Sequence, residues 1–281
     1  MLTGGGEEMS DMLQIAKREL KTGFRNPWSY SFLVLFCTFS LSLLLLNAQT
    51  PVQGYSGTTG SMLNLILYLL PLMTLFLGSF SLTAEKEDGS WQLLSTYPIG
   101  TLSFITGKYL GLTAVLLLIV TFGYGLMGLV SGLLGNPIDL LTYLLFLAFS
   151  CGLVLLFLSI ALWIGSLSRN RWQALTISVS IWFFSVIGWP TLLLAILGLM
   201  PYLWIKPLLV VLTFLNPAEL VRLFIVIKLG GGSILGPEYY QWVTWVQQPW
   251  GSTIFIGICM LWVSFSILMV YAIWERGRSR A

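Results

Sequence analysis

Ala84-Glu85-Lys86-Glu87-Asp88-Gly89-Ser90-Trp91-Gln92-Leu93-Leu94-Ser95-Thr96-Tyr97-Pro98-Ile99 forms a polar island between two long apolar runs, and Gly107-Lys108-Tyr109-Leu110-Gly111 closes it. Four consecutive charges at 85–88 are a large share for a chain with only fourteen basic and eleven acidic residues. The flanking runs, about Met62 to Leu82 and Ile105 to Leu134, each supply the ~20 apolar residues that a bilayer crossing needs. The island must then lie in water at one membrane face. Its apolar members Trp91, Leu93, Leu94 and Pro98 are spaced like a short helix lying on a membrane or in a partner's groove. A plain hydrophilic turn is the alternative reading.

The rest of the chain agrees with this frame. Of 281 residues, 9% are charged and 57% hydrophobic, and the mean hydropathy is +0.87. A soluble domain carries about a quarter charged residues. The expected fold is all-α: a polytopic membrane protein of about six transmembrane helices. The spans are expected at Ser29–Asn47, Met62–Leu82, Ile105–Leu134, Leu140–Leu167, Trp172–Trp189 and Thr253–Trp274. Residues 1–28 form an N-terminal arm with an amphipathic interfacial helix, 29–274 the membrane domain, and 275–281 a basic tail. In the helix at 11–25, Leu13, Ala16, Leu20 and Phe24 share one face at helical spacing. Lys17, Arg18, Lys21 and Arg25 flank that stripe, as in a helix lying at lipid headgroups. Asn26-Pro27 ends it. No apolar run follows the first residues closely enough for a signal peptide, so the first run is expected to remain as a span.

Residues 190–249 fit a span poorly. Pro190, Pro201, Pro207 and Pro217 break them, Leu192–Leu199 is too short to cross, and Asn216, Pro217, Glu219 and Arg222 interrupt Leu208–Ile227. A re-entrant or interfacial pair of short helices is expected there, before the last span. With six spans and a cytoplasmic N-terminus, every basic residue except Lys206, Arg222 and Lys228 falls on the inner face. That asymmetry places both termini, and the island, in the cytoplasm.

The residue inventory excludes several functions. There is no histidine, which removes His-based catalysis and His-ligated metal sites. Cys37, Cys151 and Cys259 lie in apolar runs without C-x-x-C spacing and read as small buried hydrophobes. The methionines form no helical pairs inside spans, so no copper path is legible. Gly100 to Lys108 fails as a phosphate loop, since six residues separate its glycines and Tyr109 follows the lysine. No span carries the aspartates of an intramembrane hydrolase. No basic patch with interleaved aromatics suggests nucleic acid.

Asn216-Pro217-Ala218-Glu219 has the pattern of a helix start. Asn216 would cap, Pro217 would occupy the first turn and Glu219 would reach back to the cap. Glu219 and Arg222 would then be neighbours on one face. A cap with a local ion pair and a polar element of a transport pathway are both open readings.

The quoted residues resemble the ABC type-2 permease family. Its first cytoplasmic loop carries a similar Glu-x-Glu and Gly-Ser pattern, two leucines, a proline, and Gly-Lys-x-Leu-Gly before the third span; here Asp88 precedes Gly89. Ala16-Lys17-Arg18-Glu19-Leu20 followed by Arg25-Asn26-Pro27 resembles the family's N-terminal helix. Within the family, Ser166-Leu167-Ser168-Arg169 and Leu215-Asn216-Pro217-Ala218-Glu219 look like permease subunits that serve copper-site maturation of nitrous-oxide reductase. The resemblance implies a non-enzymatic permease that couples ATP hydrolysis by a separate ATPase subunit to export or mechanical transmission. ATP and Mg would be bound by that partner, and this chain would hold no cofactor. It implies a second permease chain in a homodimer, and an extracytoplasmic β-helical partner at the outer loops. It makes Glu85, Glu87, Gly89, Trp91, Leu94 and Pro98 the ATPase-coupling loop. Export of another substrate, or a non-transporting assembly scaffold, are the other readings.

Overall fold

A computed structural model describes residues 4–46, 54–89, 100–135 and 138–278. The elements are helical throughout these residues. Helix α1 (Gly4–Gly23) turns at Asn26 into α2 (Pro27–Leu46), which has no charged residue. Then follow α3 (Gly57–Glu87), α4 (Thr101–Leu133) and α5 (Leu140–Leu167). Helix α6 (Arg171–Trp182) passes through a π-helical turn (Phe183–Gly188) directly into α7 (Trp189–Leu199). Helices α8 (Tyr202–Leu215) and α9 (Pro217–Lys228) form a bent pair. Two 3-10 turns and α10 (Tyr240–Gln247) lead to α11 (Gly251–Arg278).

Five rods are long and apolar enough to cross a bilayer: α3, α4, α5, the continuous α6–α7 rod and α11. At 1.5 Å per residue, the twenty uncharged residues of α2 reach about 30 Å, the thickness of the hydrocarbon core. The α8–α9 pair bends by 110° at Asn216. A bend this sharp is compatible with the re-entrant pair expected for this region, and equally with a broken span.

Helix α5 is the hub. Phe149, Leu153, Val154, Phe157, Leu158, Ala161 and Leu162 on it are fully buried, and α3, α4, α6, α9 and α11 surround it. Its partner α3 comes very close because Gly78 and Gly165 carry no side chain. A Cβ on Gly78 would stand 2.5 Å from the Ala161 Cβ, and one on Gly165 2.9 Å from the Ser79 oxygen. Close backbone approach over small residues is a common way for helices to associate without a hydrophobic drive from water. Asp139 starts α5 by accepting the Thr142 N–H at 3.2 Å.

The α6–α7 rod, the fifth when α2 is counted as the first, extends beyond the span expected at 172–189. Pro190 does not end it. A proline lacks the N–H that an α-helix needs four residues back, but here the preceding turn is π-wound and Pro190 sits in the first turn of α7. Leu192–Leu199 is thus the far end of a crossing rod and not a fragment of the re-entrant pair.

Candidate functional site

The island separates into two parts. Glu85, Lys86 and Glu87 are not loop residues; they are the last turn of α3. Asp88 is the C-cap, its N–H bonded to the Ala84 oxygen at 2.9 Å. Gly89 follows at φ +68°, the left-handed conformation that ends helices at low cost only for glycine. Trp91, Leu94 and Pro98 lie outside the described residues.

The three α3 side chains point in different directions and each ties down a neighbour. Glu85 turns inward. Its Oε1 accepts from Lys108 Nζ at 3.1 Å and from the Arg18 guanidinium at 3.3 Å. Lys108 also donates to Glu19 Oε1 at 2.8 Å, and Ser81 donates to Glu19 Oε2 at 3.1 Å. The Lys108 side chain is 1% exposed, and those of Glu19 and Glu85 are 7% and 8%. Two carboxylates facing one lysine and one half-exposed arginine make a neutral cluster. A lone buried lysine here would cost several kcal/mol.

Lys86 reaches the end of α5 instead. Its ammonium donates to the Gly165, Ser166 and Ser168 oxygens at 2.9, 2.6 and 2.9 Å. These are the unsatisfied C-terminal carbonyls, where the helix dipole is negative. Glu87 meets the opposite pole. Its Oε1 accepts the Arg171 N–H at the start of α6 at 2.8 Å, and its Oε2 pairs with the Arg171 guanidinium at 2.9 Å. Thus Glu85-Lys86-Glu87 fastens the end of α3 to α1, α4, α5 and α6 at once. On α4, the Thr101 hydroxyl donates to Glu275 Oε2 at 2.8 Å, which brings the end of α11 to the same face.

The close approach of α1 makes the buried cluster possible. Gly107 and Gly111 lie one turn apart on α4, within the described helix and not in the preceding loop. A Cβ on Gly107 would stand 2.6 Å from the Met12 oxygen; one on Gly111 would stand 2.5 Å from the Glu19 Cβ and 2.6 Å from the Ala16 oxygen. A Cβ on Gly23 would likewise meet Val115 at 2.6 Å. Helices α1 and α4 therefore run side by side in the same direction. Gly111→Ala is expected to force them apart and lower the apparent Tm by the equivalent of about 1–3 kcal/mol of overpacking; a thermal-shift measurement in detergent checks this.

The face of α1 that packs differs from the expected stripe. Ile15, Glu19 and Gly23 are buried, while Leu13 is 59% exposed. Leu20 and Phe24 pack partly against the core, as expected. Lys17, Arg18, Lys21 and Arg25 are exposed. The helix thus has a protein-facing side set by two α4 glycines, which composition of α1 alone does not reveal.

The re-entrant pair forms a second polar centre. Asn216 caps α9 through Oδ1, which accepts the Ala218 N–H at 2.9 Å, with Pro217 in the first turn. The expected reach of Glu219 back to the cap is absent. Glu219 instead receives both Arg222 Nε at 3.0 Å and an Arg222 terminal nitrogen at 2.6 Å, a bidentate pair. The remaining amide group of Asn216 donates to the Ser185 oxygen at 2.7 Å, inside the π-turn of the fifth rod. Ser185 gave no signal in the sequence. Lys108 and Glu19 were not paired by the sequence either, because nothing in it placed α1 against α4.

A model of ABC-2 family transporter proteins matches residues 13–276. The chain is 30% identical over 279 residues to "Probable ABC transporter permease protein NosY" of Stutzerimonas stutzeri, covering 95% of this chain and 99% of that one. It is 32% identical over 217 residues to the protein of the same name from Pseudomonas aeruginosa, covering 74% of this chain and 79% of that one. With a match that runs from α1 to the last turns of α11, this multi-pass membrane chain belongs to the ABC-2 family of transporter proteins.

Proposed function

We propose that residues 89–100 dock a separate ABC ATPase, and that the charged cluster beneath them carries the ATPase's movement into α1, α3 and α4. The observation behind this is that both ends of the segment are anchored to one buried ion cluster, through Glu85 on α3 and Lys108 on α4. A displacement of the segment would move three helices as a unit. In this reading the chain is the membrane-spanning permease subunit, without an active site of its own, and ATP and Mg belong to the partner.

The basic residues gathered at the island end support a cytoplasmic position for that face and for both termini, in the cell membrane. The fifth rod exposes Trp172, Phe183 and Phe184, a surface suited to a second copy in a homodimer. Similarity to two proteins named NosY supports a role in copper-site maturation of nitrous-oxide reductase. An extracytoplasmic β-helical protein would then meet the loops between 190 and 250. The histidine-free sequence favours mechanical transmission, or a non-metal cargo such as a sulfur compound, over metal passage.

A cysteine at Ser95, in a background lacking the three native cysteines, tests the docking segment. Crosslinking to the co-expressed ATPase is expected, together with loss of permease-dependent ATPase activity in Leu94→Glu. Absence of both effects in a normally assembled membrane protein would overturn the assignment. Glu85 is unsuited to this test, since its buried carboxylate holds the fold itself.

A further inference from the structure

A cleft of about 770 Å³ opens between α4, α5, α9 and α11. Its walls are apolar, with Leu145, Leu155, Val221, Phe255 and Met260 among them. On α11 it runs from Ser252 to Ser264, a rise of about 18 Å. It is therefore a groove along the bilayer normal and not a compact pocket. Its floor offers a ligand little polarity, because the Tyr109 hydroxyl already donates to the Leu155 oxygen at 3.0 Å.

The polarity is concentrated at the other end. Lys228 lines the mouth, beside Ser252. It forms no ion pair among the described residues. Among the described residues its ammonium meets the Phe224 ring, 5.5 Å from the centroid. Phe224 in turn stacks on Phe255 at 3.8 Å, joining the mouth to the wall of α11. Trp250, two residues before Ser252, is strongly exposed, as aromatic residues at a membrane–water boundary are. An unpaired cation at headgroup level above a long apolar groove is complementary to a ligand with one anionic head and an extended hydrocarbon tail.

We propose that this cleft binds an anionic phospholipid, with one acyl chain between α5 and α11 and its phosphate paired with Lys228. The assignment requires that the chain span a membrane, but not any particular ATPase, cargo or dimer. Bound there, the lipid bridges the re-entrant pair and the last span, adding to the contact that Phe224 and Phe255 already make.

The test uses the full-length chain purified from vesicles of phosphatidylglycerol and phosphatidylethanolamine, and separately of phosphatidylcholine, with native mass spectrometry counting retained lipid. Wild type is expected to keep one phosphatidylglycerol per chain in preference to the other two. Lys228→Gln should lower that retention about fivefold, the effect of one basic residue at an anionic surface, and Lys228→Arg should restore it. Met260→Trp, on an exposed wall, should block the tail and reduce retention with Lys228 intact. Equal retention of phosphatidylcholine, or unchanged phosphatidylglycerol in Lys228→Gln, would overturn the proposal. Failure of the docking reading would appear only as lost ATPase association, which this measurement does not involve.

Discussion

Lys108→Met is expected to be the most damaging single substitution at the island face. Its stem fits the same space, but Glu19 would be left buried with only the Ser81 hydroxyl, and Glu85 with only the half-exposed Arg18. Removing one partner from a buried ion pair costs about 3–5 kcal/mol, chiefly through the uncompensated charge that remains. The apparent Tm in detergent should fall sharply, and α1 should become protease-sensitive as it leaves α4. Adding Glu19→Gln and Glu85→Gln removes the stranded charges and should recover most of the loss, since an apolar or neutral replacement of a whole buried cluster is often tolerated. The recovered variant then separates folding from coupling. If the cluster only stabilises, permease-dependent ATPase activity returns with the Tm; if it transmits movement, the Tm returns and the activity does not. Wild-type stability of Lys108→Met alone would show that the cluster carries little energy. Glu87→Ala is the control, because its pair with Arg171 is largely exposed and worth at most about 1 kcal/mol.

The same cluster shows where sequence reading stops. The spans were legible because a bilayer demands long uncharged runs, and α3, α4, α5 and α11 fall where hydropathy puts them. What could not be read was direction: Glu85, Lys86 and Glu87 are adjacent in sequence, yet 100° steps around α3 send them to three different neighbours. Their partners lie far along the chain at Arg18, Lys108, Ser166 and Arg171, and only packing brings them together. Gly107 and Gly111 fell inside the span expected from Ile105, unremarked as a pair; their spacing of four is that of a helix-packing stripe, and the structure uses it so. Pro190 misled in the opposite sense. Proline stops α-helices, but a π-turn ahead of it lets the rod continue, and no residue in Phe183–Gly188 announces that turn.

Asn216 is the second position where one side chain carries an unusual share. It is 2% exposed, and both functional groups of its amide are used: the oxygen for the Ala218 N–H, the nitrogen for the Ser185 oxygen. Asn216→Ala would leave the buried Ala218 N–H without a partner, at about 1–3 kcal/mol, and the half-buried Ser185 carbonyl without its donor at a smaller cost. Asn216→Asp keeps the cap but sets a carboxylate against the Ser185 carbonyl. It should therefore be at least as harmful as alanine, although aspartate is as good an N-cap as asparagine in water. This inversion of the ordinary cap ranking is the diagnostic result, read as the order of apparent Tm values in detergent. If Asp instead proved close to wild type, the bond to Ser185 would be dispensable and Asn216 only a cap. The stake is functional as well as structural. A π-turn carries backbone groups that an α-helix would pair internally, and here one of them is held by the apex of a re-entrant pair. A movement that lifts the α8–α9 apex would break the bond from Asn216 to the Ser185 carbonyl. The two Asn216 variants should then alter ATP-dependent turnover as well as stability, whereas a cap with no link to the rod would change stability alone.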